Sequence, residues 1–368
     1  MSFYDEYTRY SEAAVDGVLN NTTSEQVVKI IGKDRLTAMD FLALLSPAAA
    51  QHLEVMAQRA HQLTVQQFGR VIFLFTPIYL SDYCTNKCVY CGFNITNTFT
   101  RKKLTLEEVE KEAQSIAASG LKHILLLTGD APKIAGIEYM KECIQILKKY
   151  FSAVAIEVYA MNKSEYEELI DAGVDSMTMF QETYNPLIYD QLHLAGPKKD
   201  YRFRLDAPER ACQAGIRSVN LGALLGLDQW RRDAFFTGLH ADYLQQKYSD
   251  VEMSISLPRI RPTMGKCETG LSVNDKQMVQ YMTALRLFIP RVGITISTRE
   301  NAEFRNNIIK LGVTKMSAGV NTAVGGHIES QENSGQFEIS DNRTVAQMCE
   351  AILRLGYQPV FKDWQAIG

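Results

Sequence analysis

The chain has 368 residues, 46% of them hydrophobic, and a formal net charge of −3, so there is no electrostatic reason to expect nucleic acid or an anionic membrane as a partner. No apolar run approaches the ~20 residues of a membrane span, and the opening MSFYDEYTRYSEAAVDG does not resemble a signal peptide. Seven cysteines are too few for a disulfide scaffold, and a cytoplasmic protein folded from end to end is expected.

Residues 1–70 read as helices. Ala38-Met39-Asp40-Phe41-Leu42 opens a region that runs through His52 to Gln67 with apolar residues three and four apart. Within it, Leu45-Ser46-Pro47 suits a helix start, with Ser46 as cap and Pro47 in the first turn. From residue 71 short β-rich runs alternate with amphipathic helical patterns. Eight strands are predicted, over 71–80, 123–128, 153–159, 176–180, 218–221, 251–257, 293–297 and 314–317. Helices are predicted over 106–118, 137–150, 163–172, 201–214, 231–248, 275–288, 303–311 and 343–355. Gly120, Gly173, Gly215, Gly312 and Gly356 stand where helices stop.

Eight βα units in ~290 residues predict a (β/α)8 barrel of the TIM type, built by right-handed crossovers. It would occupy residues 71–368 with a C-terminal closing segment, and residues 1–70 would form an N-terminal helical extension. A doubly wound open sheet is the alternative. In a barrel, chemistry gathers at the C-terminal ends of the strands.

Cys84, Cys88 and Cys91 lie in YCTNKCVYCGFN, directly after the first strand. Cys-x3-Cys-x2-Cys brings three thiolates into one loop, enough for three irons of a [4Fe–4S] cubane and none for the fourth. Clusters that only carry electrons usually take four cysteines. An open iron can accept a small molecule, as the open position of a catalytic zinc does. A zinc site would want a fourth ligand nearby, and His61 and His123 are not at finger or ribbon spacing. Cys143, Cys212 and Cys349 fall in helical patterns, where cysteine is usually a small buried apolar residue, and Cys267 stands alone.

Polar residues mark the other strand ends. Thr128-Gly129-Asp130 follows the second strand, Glu157 lies near the end of the third, and Gln181-Glu182-Thr183 closes the fourth. Pro258-Arg259-Ile260-Arg261-Pro262, Ser297-Thr298-Arg299-Glu300 and Ser317-Ala318-Gly319 close the sixth, seventh and eighth. One such end is an ordinary solvated loop, but solvation does not require charge at every strand end beside a cysteine loop. An open iron at a barrel mouth suggests radical chemistry with S-adenosyl-L-methionine. That cofactor chelates the open iron through its amine and carboxylate, and one electron splits it into methionine and a 5′-deoxyadenosyl radical.

The segments ALLSPAA, PIYLSDYCTNKCVYCGF, LLLTGD, FQETY, LGALLGL, PRIRP, STRE and VFKDW carry a resemblance over almost the whole length. The chain resembles the radical S-adenosylmethionine superfamily and, within it, the aromatic amino acid lyases, nearest the tyrosine lyases of bacterial thiamine thiazole biosynthesis. The resemblance implies cleavage of the Cα–Cβ bond of L-tyrosine to 2-iminoacetate and p-cresol, begun by hydrogen abstraction from the amino group. It also implies thiazole synthase as a protein partner and a flavodoxin- or ferredoxin-type electron donor.

Residue by residue, the resemblance makes Cys84, Cys88 and Cys91 the cluster ligands. Thr128, Gly129 and Asp130 match the motif whose backbone binds the cofactor's amino group; Asp130 stands where that motif usually has Glu. Glu182 and Arg204 match contacts to the ribose or methionine part, and Glu157 a further ribose or amine contact. Arg299 and Ser317 match the residues that hold the substrate's amino acid group, a task suited to the two-point fork of arginine. Tyr90 either shields the cluster, touches substrate or packs. Arg259 contacts the substrate carboxylate or pairs with a barrel carboxylate. His240, in GLHADYLQQKY, lines up with a histidine of relatives, against a structural role in its helix. Trp230 and Trp364 read as core or cap residues.

Three rival readings share parts of this pattern. Hydrogenase-maturing tyrosine lyases add a C-terminal domain with three more cysteines, and the end of the sequence at Gly368 speaks against that role. A tryptophan-using relative would keep the amino acid clamp and change the ring pocket; FQETY and FKDW favour tyrosine. A non-enzymatic iron–sulfur electron carrier would need neither Arg299 nor Glu182.

Overall fold

In a computed structural model that describes residues 2–261, 271–328 and 335–362, eight parallel strands close on themselves. They are β1 (Val71–Ser81), β2 (His123–Thr128), β3 (Ala153–Glu157), β4 (Ser176–Glu182), β5 (Ser218–Ala223), β6 (Glu252–Ser256), β7 (Gly293–Ile296) and β8 (Lys315–Ser317). β1 closes the ring, pairing Thr76 with Ile124 of β2 on one edge and Phe75 with Ser317 of β8 on the other. The (β/α)8 barrel expected from the sequence is therefore the fold, and the open-sheet alternative is excluded. Pro262, Cys267, Asp363 and Trp364 lie outside the described residues.

A ninth strand, β9 (Gln358–Val360), was not expected. It runs parallel to the start of β1, matching Val71 to Gln358 and Phe73 to Val360. β2 begins only opposite Thr76, which leaves the first residues of that edge of β1 open, and β9 takes up the backbone groups there.

Local chemistry sets the crossover helices. Thr105 and Glu108 form a reciprocal cap at the start of Leu106–Ala117: the Glu108 amide donates to Thr105 Oγ1 at 3.2 Å, and the Thr105 amide to Glu108 Oε2 at 2.7 Å. The helix expected over 201–214 is two, Tyr201–Leu205 and Ala207–Gln213, with the break just ahead of Pro208. An unforeseen helix, Pro186–Leu192, follows β4, capped by Asn185 with proline in its first turn.

The N-terminal segment is helical, as expected, over Phe3–Tyr7, Glu12–Asn21, Ser24–Ile31, Ala38–Leu44 and Leu53–Phe68. Ser46 Oγ accepts from the Ala49 amide at 3.4 Å and opens a 3-10 turn, Ala48–His52, ahead of the last of these. The segment packs on the helices Trp230–Lys247 and Asp275–Phe288. Phe41 stacks on Phe288 at 4.7 Å, and Gln280 Nε2 donates to the carbonyls of Leu44 and Ser46 at 2.9 and 2.8 Å. One continuous apolar core runs from Phe3 through the barrel to Ile352. Among the described residues no helix is long and apolar enough to cross a membrane.

Side chains alternate inward and outward along each strand. Barrels of this kind are usually filled by bulky branched residues. Here the inward positions include Ser176, Thr178, Ser218, Asn220, Ser254, Ser256 and Thr295, joined in part by hydrogen bonds from Asn220 Nδ2 to Ser256 Oγ (2.7 Å) and Thr178 Oγ1 (3.2 Å). Small polar side chains leave the interior open, and a cavity of about 180 Å³ runs from this level up to the cysteine loop.

Candidate active site

The loop after β1 is held by a dense set of hydrogen bonds. The Thr85 amide and hydroxyl donate to the Asp130 carbonyl at 2.8 and 2.9 Å, and Asn94 Nδ2 donates to the Cys88 carbonyl at 2.7 Å. The Arg101 guanidinium donates to the carbonyls of Asp82 (2.5 Å), Phe93 (3.0 Å) and Asn94 (2.7 Å). Such a cage fixes the three thiols before anything binds them. Cys88 is buried, with Cys84 and Cys91 half-buried beside it. Burial pushes the Cys88 thiol up to about 12, and charge on Cys91 and Cys84 adds to the rise. Burial raises the Cys91 thiol as well, and thiols whose ionisation is suppressed in this way call for a cationic partner, which iron supplies.

Among the described residues, no three His, Cys, Asp or Glu side chains converge where a single metal ion would sit. A cubane needs no such convergence, because each thiolate takes a different iron. The donor set fits the cluster.

Thr128-Gly129-Asp130 abuts this loop. The Gly129 amide donates to the Ser81 carbonyl at 2.8 Å, and a Cβ at Gly129 would collide with the backbone oxygen of Tyr83, so only glycine fits. Asp130 Oδ2 accepts from Asn86 Nδ2 at 2.6 Å. Its shorter arm therefore ties the motif to the cysteine loop, while Asp130 Oδ1 and Thr128 Oγ1 are buried without partners among the described residues. Unpartnered polar atoms beside Cys84 are what a missing polar ligand leaves behind.

Glu182, at the end of β4, accepts from Lys198 Nζ at 2.5 Å and lies 3.7 Å from Arg204 Nη2. Burial opposes its ionisation, but Lys198 and Arg204 hold the carboxyl below its ordinary value. Arg204 is itself fixed, with Nε donating to the Phe180 carbonyl at 2.8 Å. Lys198 was not singled out from the sequence. It sits in the polar stretch LAGPKKD, where nothing marks one lysine over the next.

Glu157, Glu182, Tyr90, Cys91, Arg299 and Ser317 line the cavity together. Burial, followed by repulsion from Glu182, raises the Glu157 carboxyl to about 7. The Arg299 guanidinium lies 3.6 Å over the Phe337 ring and pairs with no carboxylate among the described residues. Ser317 Oγ accepts from the Thr298 amide at 3.1 Å. The Tyr90 hydroxyl is 2.8 Å from His193 Nε2, and His193 Nδ1 lies 2.7 Å from the Tyr189 carbonyl. A carbonyl only accepts, so Nδ1 carries the proton and Tyr90 donates to Nε2. The ring of Tyr90 faces the cavity with its hydroxyl already engaged.

Two expected residues do not reach this cavity. Arg259 is consumed by other partners: Nε donates to Glu300 Oε1 at 2.9 Å, and Nη1 to the Val273 carbonyl and Asp275 at 2.9 and 2.8 Å. Of its two readings, pairing with a barrel carboxylate is the one its position fits. Arg261, two residues on, lines the cavity instead, with Nη2 3.2 Å from Glu300 and Nε buried without a partner among the described residues. His240 lies outside the barrel on Trp230–Lys247, stacked on Phe3 at 3.9 Å and 3.1 Å from the Tyr184 hydroxyl. Burial pushes it down to about 3, so it is neutral and structural.

A family model described as the radical SAM superfamily matches residues 78–237, and one described as the biotin and thiamin synthesis associated domain matches residues 256–358. The chain is 38% identical over 349 residues to the 2-iminoacetate synthase of Escherichia coli (strain K12), which covers 95% of this chain and 93% of that protein. The chain belongs to the 2-iminoacetate synthase family of radical SAM proteins. It is also 26% identical to the 3-methylornithine synthase of Methanosarcina barkeri (strain Fusaro / DSM 804), over 77% of this chain and 70% of that one. Among solved structures, HydG, a maturase of the [FeFe]-hydrogenase, aligns with a TM-score of 0.90 at 30% identity, covering 96% of this chain and 80% of HydG. The cofactors of this superfamily are a [4Fe–4S] cluster and S-adenosyl-L-methionine, in agreement with the three-thiol loop.

Proposed function

We propose that the chain cleaves L-tyrosine at the Cα–Cβ bond to 2-iminoacetate and p-cresol, with methionine and 5′-deoxyadenosine as co-products, and that the imine serves thiamine thiazole synthesis. The observation that carries this reading is Arg299, a guanidinium that pairs with no carboxylate among the described residues, in a cavity shared with a cysteine of the loop. A half-buried fork of this kind suits the carboxylate of an amino acid substrate. Ser317, on the neighbouring strand, lines the same cavity and would assist it.

Cys84, Cys88 and Cys91 would hold the cluster; Glu182, Arg204, Glu157 and the Thr128–Asp130 backbone would hold S-adenosylmethionine. When bound, these two supply one-electron cleavage to a 5′-deoxyadenosyl radical. The chain's own work is to orient and to exclude water. Phe180, Leu224, Leu257 and Phe337 wall the cavity with apolar surface. Below them, Thr178, Asn220 and Ser256 offer hydrogen-bond partners to a phenol hydroxyl. Because 5′-deoxyadenosine leaves with one hydrogen atom of tyrosine, the hydroxybenzyl fragment takes up one electron and one proton to become p-cresol, so each turnover draws two electrons from the donor and needs no external oxidant.

The imine hydrolyses readily to glyoxylate and ammonium, which favours direct delivery to thiazole synthase as partner. A flavodoxin- or ferredoxin-type donor would reduce the cluster, and an oxygen-labile cluster suits the cytoplasm. The test is product analysis under anaerobic, reducing conditions with tyrosine or tryptophan. p-Cresol from tyrosine alone supports the reading. An indole acid from tryptophan without p-cresol would assign the chain to the sister chemistry, and 5′-deoxyadenosine from neither would remove it.

A further inference from the structure

Glu182 is the only non-glycine residue with positive φ among the described residues, at 70°. The Thr183 amide donates back to the Gln181 carbonyl at 3.0 Å, so Glu182 is the centre of a γ-turn of the rare, strained class. The β4–β5 register slips at the same point, from Phe180 opposite Gly222 to Glu182 opposite Ala223. A conformation like this persists only where its surroundings over-determine it.

Asp233, on the helix Trp230–Lys247, is the group that does so. Its Oδ1 accepts from Thr183 Oγ1 at 3.0 Å and from the Tyr184 amide at 2.8 Å, the two residues directly after Glu182. Tyr184 has two further restraints: its carbonyl accepts from the Tyr201 hydroxyl at 2.8 Å, and its own hydroxyl pairs with His240. Asp233 is 1% exposed and lies behind β4, among Tyr7, Tyr10, Val15 and Phe236 around a separate small hollow. It lines no part of the barrel cavity. Mainly through burial, its carboxyl is raised to about 8, so at neutral pH it is an uncharged acid whose Oδ1 still accepts both bonds.

We propose that Asp233 is a positioning residue for the cofactor site, locking the turn that aims the Glu182 carboxylate at Lys198, Arg204 and the cavity. The proposal rests on the reading of Glu182 as a contact to S-adenosylmethionine. Asp233 acts through the backbone of its neighbours and touches neither cofactor nor substrate.

The experiment uses cluster-loaded, full-length protein. It measures the Kd for S-adenosylmethionine, the change that the cofactor causes in the EPR spectrum of the reduced cluster, iron per chain and the melting temperature. Asp233→Ala is expected to raise the cofactor Kd about tenfold or more and weaken the EPR change, with iron content kept. Asp233→Asn, which is isosteric with the neutral acid and keeps the accepting oxygen, is expected to restore both. Wild-type affinity in Asp233→Ala overturns the proposal, and so does an Asn variant as impaired as Ala. If Asp233→Ala does not fold, Thr183→Val decides: a severalfold rise in Kd supports the lock, and wild-type affinity overturns it. Glu182→Gln separates the two claims. If it binds cofactor as wild type does, the reading of Glu182 is lost and the proposal with it; if it is impaired while Asp233→Ala is not, only the role of Asp233 is lost.

Discussion

Arg259 and Glu300 face each other as a two-point ion pair, Nε to Oε1 at 2.9 Å and Nη2 to Oε2, with Glu300 only 1% exposed. Removing one member of a buried pair strands the other, at a cost of about 3–5 kcal/mol. Arg261, 3.2 Å from the same carboxylate, would offset part of that loss. Arg259→Ala is therefore expected to lower the denaturation midpoint clearly while the protein still binds tyrosine and cofactor. Unchanged stability with lost tyrosine binding would return Arg259 to the substrate contacts.

The cluster assignment predicts iron content. Any of Cys84→Ala, Cys88→Ala and Cys91→Ala should abolish the reconstituted [4Fe–4S] cluster. Cys143→Ala should leave it, because Cys143 is buried in the helix Ile137–Leu147, outside the loop. Iron and acid-labile sulfide per chain are the measurement, and a triple loop variant with full iron would remove the assignment.

Loss of the Arg299 fork should separate substrate from cofactor. Truncating one partner of a desolvated charge pair costs about 2–5 kcal/mol. Arg299→Ala is expected to lose productive tyrosine turnover yet keep S-adenosylmethionine at the cluster. Arg299→Lys should recover only part, since one ammonium cannot present two parallel donors. Tyrosine kinetics and cofactor affinity, measured on the same preparations, check both.

What was legible in the sequence follows from periodicity and spacing. All eight barrel strands begin within a residue of their expected starts because strand and helix periods alternate cleanly. The cysteine loop was legible because metal chemistry demands spacing. β9 was not, since three residues containing Pro359 carry no strand signal and pair only because β1 has an open edge there. Arg259 and Arg261 could not be told apart, for both lie past the end of β6, where strand alternation no longer dictates direction. His240 showed the limit of aligned positions: a shared histidine does not say which side of a helix wall it faces. Asp233 left no signal at all, because its partners are the backbone and hydroxyl of residues fifty positions away.

The last prediction concerns pH. Glu157 titrates near 7, raised first by burial and then by Glu182, with Arg299 pulling the other way. S-adenosylmethionine brings a sulfonium cation, and a carboxylate attracts it only when ionised. Cofactor affinity should therefore rise as pH climbs through about 7 and level off above it. A gain on the order of tenfold corresponds to one unit of pKa shift on binding. The empty protein should behave oppositely. A carboxyl whose folded pKa exceeds its unfolded value contributes stability at low pH, and that contribution is lost as pH rises through the folded value. The cluster-loaded protein without cofactor should thus lose stability between the ordinary carboxyl value of 4.5 and about 7, with no further loss from this group above that, while the complex loses less. Glu157→Gln should flatten both profiles. Cofactor Kd values at pH 6 and 8 for wild type and variant are the measurement, and a wild-type affinity independent of pH would rule out Glu157 as a contact to the cofactor's positive charge.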